Sequence, residues 1–147
     1  MANQFMVQQL KRLMVAGCIY GPLSAASEMP LLNGISQLEW KHRLLIVSDP
    51  QSTDRFIDAF DQHQAQIDDR DIVWFVNSAK MLTSNYRGEL SDDLANELRA
   101  VTRDGERKVV LVGKDGGVKL RADSLDFDRI FTVIDGMPMR IREINSQ

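Results

Sequence analysis

Three short apolar runs do most to limit what this chain can fold into. They are Leu44-Leu45-Ile46-Val47, Ile72-Val73-Trp74-Phe75-Val76 and Val109-Val110-Leu111-Val112. Each is continuous rather than alternating, and each is bounded by polar or turn-forming residues. A strand reads this way when both faces of its sheet are covered. Such burial needs helices on either side, so the class is α/β.

The segments between the runs carry the helical period. Phe56, Phe60, His63 and Ile67 recur at helical spacing, with Ile57 and Ala59 beside them, which predicts a helix ending near Asp68-Asp69. Residues 77–90 read as irregular, with Asn85 and Gly88 as breakers. Ser91 suits an N-cap, Asp92 and Asp93 suit the first turn, and Leu94, Leu98 and Val101 share one face. Gly105 is a plausible C′ residue.

Strand Lys108–Val112 leads into Gly113-Lys114-Asp115-Gly116-Gly117, a turn composition, and Val118–Arg121 alternates as a half-exposed strand does. Ser124 or Asp126 caps a last helix carrying Phe127, Ile130, Phe131 and Ile134, which Gly136 and Pro138 end. Met139–Ile144 alternates but is too short to assign. The expected order is β–α–β–α–β–β–α, a four-stranded mixed sheet flanked by helices. The first strands, separated by helices, are expected to run parallel, and the last two to form a hairpin.

The chain has 147 residues and a net charge of −3, with 44% hydrophobic and 27% charged residues. These values suit one globular domain. Lys11-Arg12, the apolar run Leu13–Tyr20, the helix-breaking Gly21-Pro22 and the small residues Ser24-Ala25-Ala26 together predict a signal peptide over 1–26. The domain is then 27–147, and its location periplasmic or secreted. Two other readings of this segment are a lipoprotein-type box at Val15-Ala16-Gly17-Cys18 and an amphipathic helix of a cytosolic protein. No apolar stretch is long enough for an ordinary membrane span.

Removing Lys11 and Arg12 leaves 16 basic against 21 acidic residues, a net −5, which argues against nucleic-acid binding. Cys18 is the single cysteine. A domain without it forms no disulfide and has no thiolate nucleophile or cysteine metal site. No metal site or cofactor is expected, since His42 and His63 lie roughly twenty residues apart.

The hairpin Val109–Arg121, the segment Asp135-Gly136-Met137-Pro138-Met139-Arg140 and the earlier Trp40-Lys41 together resemble one particular family. It is the uncharacterised domain family of small bacterial exported proteins, also found as the C-terminal domain of sushi-repeat-containing secreted proteins. The resemblance spans residues 37–143 and implies a thioredoxin-like fold in an extracytoplasmic setting. It brings no established activity. Working thioredoxins carry a Cys-x-x-Cys where this chain has Ser48-Asp49-Pro50-Gln51-Ser52-Thr53, and a cis-proline where it has Glu106-Arg107-Lys108. Without thiolates there is no disulfide exchange.

Two candidate binding regions follow. Ser48, Asp49, Ser52 and Thr53 lie at the carboxyl end of a strand and the start of a helix, where hydroxyls and free N–H groups hold an anion or a peptide carbonyl, or simply cap the helix. Asp49 opposes an anion there. Lys119 and Arg121 are expected to share one strand face, with Arg140 and Arg142 joining them in a basic patch for an acidic protein surface, or else in a solvated face. Gly113–Gly117 does not match a phosphate-binding loop. Trp40 and Trp74 are expected in the core, and His63 reads as a packed histidine. No catalytic residue is assigned. The leading expectation is a non-catalytic exported binding module. An enzyme or redox accessory using the Ser48–Thr53 loop, or a structural envelope protein, are the alternatives.

Overall fold

The computed structural model describes residues 29–49, 53–103 and 108–146. The expected signal segment with Cys18, together with Pro50, Gln51, Ser52, Gly105, Glu106 and Arg107, lies outside the described residues.

The three apolar runs become β1 (Arg43–Ser48), β2 (Ile72–Asn77) and, after β3 (Leu82–Ser84), β4 (Val109–Val112); β5 is Val118–Ala122. A 3₁₀ turn, Ile35–Leu38, precedes β1. The helices are α1 (Thr53–Gln62), α2 (Gln64–Asp69), α3 (Asp92–Arg103), α4 (Phe127–Asp135) and α5 (Pro138–Asn145). No described helix is long and apolar enough to cross a membrane.

Among the described residues the sheet has five strands in the order β3-β2-β1-β4-β5, one more than expected. The addition, β3, lies in the segment read as irregular. Only Leu82 in it is strongly apolar, so no alternation marks it. It pairs antiparallel with β2. Where it ends, the Asn85 side chain takes over the ladder, accepting from the Trp74 N–H (2.9 Å) and donating to the Ile72 carbonyl (3.1 Å).

β3 also decides the direction of β4. β1 and β2 are parallel, as expected, with Leu45 beside Trp74. β4 runs antiparallel to β1, although a helix separates it from β2. Because β3 carries the chain back along β2 before α3 begins, α3 returns it to the carboxyl end of β1, where Ser48 N–H donates to the Lys108 carbonyl (2.8 Å). The β4–β5 hairpin forms as expected. Its turn places Gly116 at φ 75°, the left-handed region that glycine enters without a Cβ clash.

Continuous apolar runs are explained by two cores. Leu45, Val47, Trp74, Val76 and Leu111 face α1, α2 and α4, while Leu44, Ile46, Val73, Phe75 and Val110 face α3 and the 3₁₀ turn. In the first core Phe60 is fully buried. It stacks on Trp74 at 4.5 Å and meets Phe127 edge-on at 5.6 Å, arrangements that aromatic quadrupoles favour. The expected single helix over 56–69 divides at His63, whose ring stacks on Phe127 at 4.0 Å.

Two expectations are corrected. Trp40 is not in the core: it is 67% exposed, at φ 65°, and its N–H donates to the Lys114 carbonyl (2.6 Å). The tail, left unassigned from its sequence, is the helix α5. Arg140, expected on a surface patch, is buried. α5 packs across the amino end of β1, which turns that arginine toward the Asp69 and Asp135 carboxylates.

Candidate functional site

The carboxyl end of β1 is where the parallel pair delivers the chain to α1. Asp49, one residue past the strand, is only 7% exposed. Its carboxylate lies 3.7 Å from the ammonium of Lys108, which precedes β4. Ser48 pairs with Asn77 at the end of β2, and Thr53 is the first residue of α1.

A cleft of about 340 Å³ opens here between α1, the start of β4 and the β5–α4 connection. Phe56, Leu125 and Phe127 supply its apolar lining. Asp49 and Asp123 bring negative charge to it, and Arg55 and Lys108 positive charge. The Arg55 guanidinium lies 5.1 Å from the centre of the Phe56 ring, within cation–π range.

His63 also lines the cleft. Its Nδ1 is 2.8 Å from the Ala59 carbonyl oxygen. A carbonyl only accepts, so Nδ1 is the donor in this contact. Together these groups suit a small organic molecule with an apolar body and polar groups of both signs. Of these residues only Asp49 was singled out as a binding group from sequence. Arg55, Lys108 and Asp123 look like ordinary surface charges until α1, β4 and β5 are brought together.

The expected basic patch is not assembled. Lys119 is exposed and ion-paired to Asp115 at 2.7 Å. That hydrogen bond is the main reason the Asp115 carboxyl lies below its ordinary value. Arg121 is half-buried and donates to the Val101 carbonyl at the end of α3 (2.9 Å). Arg140 and Arg142 are two residues apart on α5, so they leave the helix on different sides. Arg140 is buried and Arg142 exposed.

The densest charge cluster lies at the opposite end of the sheet. Arg43, fully buried at the start of β1, donates through Nη2 to Glu143 of α5 (3.1 and 3.2 Å) and through Nη1 to the Arg70 carbonyl (2.8 Å). Lys114, after β4, bridges Glu143 (2.8 Å) and Asp71 (2.7 Å). Arg70 holds Asp135 at the end of α4 (2.7 Å). Burial by itself raises the Glu143 carboxyl, but the Lys114 hydrogen bond and the Arg43 charge outweigh it, and the net displacement is downward from 4.5. Among the described residues, no group of three or more His, Cys, Asp or Glu is placed to hold a metal ion.

The sequence model of the family described as Domain of unknown function (DUF4174) matches residues 34–143, from the residue before the 3₁₀ turn to the Glu143 of α5. Neither the curated proteins nor the solved structures contain a match to the chain.

Proposed function

We propose that this chain, which belongs to the DUF4174 family, is a non-catalytic binding module, exported to the periplasm or secreted, on a thioredoxin-like core without thiol chemistry. The thioredoxin-like reading is supported by a β–α–β unit followed by a helix, a hairpin and a final helix, with β2-β1-β4-β5 adjacent in the sheet. Export is supported by the basic, apolar and small-residue segment that ends at Ala26.

The cleft at the carboxyl end of β1 carries the reading. It combines an apolar lining with Asp49, Asp123, Arg55 and Lys108 in one concavity. Its ligand is a small zwitterion with an apolar side chain, such as a free amino acid or a dipeptide. An acidic protein partner is a weaker reading, because Lys119 and Arg121 already have partners. An enzyme reading draws on His63, whose side chain lines the same cleft as Asp49. It requires turnover of a bound ligand.

The test is an amide chemical-shift titration of the full chain with zwitterionic dipeptides bearing aromatic or branched side chains. Saturable shifts at Phe56, Val109 and Leu125 that weaken about tenfold in Lys108→Ala, with the dipeptide recovered intact, are the expected result. Recovery of hydrolysed dipeptide favours the enzyme. Shifts absent, or unchanged in the variant, refute the cleft.

A further inference from the structure

A separate cavity of about 410 Å³ opens beside the amino end of β1, at the opposite end of that strand from the cleft. Residues 29–32, the end of the 3₁₀ turn, the link Lys41-His42 into β1, and Tyr86 after β3 form its walls.

The chain's own bonds fix those walls. Leu32 N–H donates to the Glu89 carbonyl (2.8 Å) and Ser91 N–H to the Leu32 carbonyl (3.0 Å), so residues 29–32 are tied to the segment before α3 by a parallel bridge. The Tyr86 hydroxyl donates to the Pro30 carbonyl (2.7 Å). Gly88 lets these two groups meet, since a Cβ there would lie 2.6 Å from the Tyr86 ring and 2.7 Å from the Pro30 oxygen.

The lining has an apolar part and a charged part. Met29, Leu31, Leu32 and Leu38 supply the apolar part. Met29 and Leu31 stay exposed there although both are strongly apolar. Lys41 supplies the charge. Burial, the largest influence, holds the His42 ring below its ordinary 6.5, so at about pH 7 it is neutral. Lys41 is exposed, and among the described residues its ammonium has no carboxylate partner, whereas Lys108, Lys114 and Lys119 each have one.

A mostly apolar concavity with one placed charge is the common form of a small-molecule site. An anion with an apolar tail complements both parts at once. A single lysine, with no arginine fork among the lining residues, balances one negative charge, which favours a carboxylate over a doubly charged phosphate ester. We propose that this cavity binds a medium-chain carboxylate, its tail against Met29, Leu31 and Leu38 and its carboxylate on the Lys41 ammonium. The site does not depend on the cleft.

The test is a titration of the full ¹⁵N-labelled chain with sodium octanoate, sodium butyrate and octylammonium chloride, each below the concentration at which it forms micelles. Saturable amide shifts at Leu32, Leu38 and Tyr86 are expected with octanoate. Each further buried methylene is worth about fourfold in affinity, so octanoate is expected to bind at least about tenfold more tightly than butyrate. Octylammonium has the same tail and the opposite charge, and is expected to bind at least about tenfold more weakly than octanoate. Lys41→Glu is expected to leave the melting temperature unchanged, to weaken octanoate and to strengthen octylammonium. No saturation by octanoate, equal affinity for octanoate and butyrate, equal affinity for octanoate and octylammonium, or an unchanged preference in Lys41→Glu would overturn the proposal. A fold defect weakens both ligands and cannot mimic a reversal of preference. Dipeptide shifts at Phe56, Val109 and Leu125 report the cleft separately.

Discussion

Replacing Glu143 with alanine tests the charge cluster that fastens α5 to the end of the sheet. Glu143 is the carboxylate shared by Arg43, whose side chain is 1% exposed, and Lys114, which is 8% exposed. Removing one partner of a buried pair costs about 3–5 kcal/mol, because the remaining charge is left in a poor solvent. Two features lower that figure here. Glu143 itself is 25% exposed, so water reaches part of the vacated space, and Lys114 keeps Asp71 at 2.7 Å. Arg43 keeps only the neutral Arg70 carbonyl. The expected loss is about 2–3 kcal/mol. Glu143→Gln, which retains an acceptor, is expected to lose about half as much.

The assay is urea denaturation followed by far-ultraviolet circular dichroism, at a series of pH values. The Glu143 carboxyl lies below 4.5 in the folded chain, so its contribution to stability is fully present above about that pH. It is lost as the pH falls through the folded value, because protonation removes the anion from both cations. The gap between wild type and Glu143→Ala is therefore widest near about pH 7 and closes in acid. A loss under about 0.5 kcal/mol, or a gap that stays constant as the pH falls, would refute the argument that this carboxylate neutralises buried cations.

Two further substitutions probe the cores and the hairpin. Phe60→Ala removes a fully buried ring from between Trp74 and Phe127. It is expected to cost about 3–5 kcal/mol in urea denaturation, with loss of the near-ultraviolet signal of Trp74; a cost below about 1.5 kcal/mol contradicts the packing. Gly116→Ala places a Cβ at φ 75° and 2.9 Å from Glu39 Oε1. Since the Glu39 side chain can swing away, the cost is that of the left-handed backbone, about 1–2 kcal/mol by thermal denaturation. An unchanged melting temperature would mean that the turn does not need its glycine.

Much of the secondary structure was legible because its causes are local. The runs at Leu44, Ile72 and Val109 are apolar on both faces, and both faces are covered. The period of Phe56, Phe60 and Ile67 places one stripe on the sheet. Asp126 caps α4 from its own neighbourhood, accepting from the Arg129 N–H (3.1 Å). The candidate site was legible only as a location, the end of β1 before α1. Asp49 was named there, but its partner Lys108 immediately precedes β4, a strand whose direction depends on β3.

What the chain's sequence determined by itself was the α/β class, the hairpin at Gly113–Gly117 and which residues are apolar enough to form cores. Each of these follows from side chains a few residues apart. The tertiary structure alone decided the direction of β4, the exposure of Trp40 and the difference between Arg140 and Arg142. It also turned Arg43 from a polar flank of an apolar run into a fully buried cation. The physical reason is distance along the chain. Arg43 meets Glu143 across 100 residues, and no local propensity reports that contact. It exists only because the folded sheet brings the start of β1 under α5, where burying one charge requires the other.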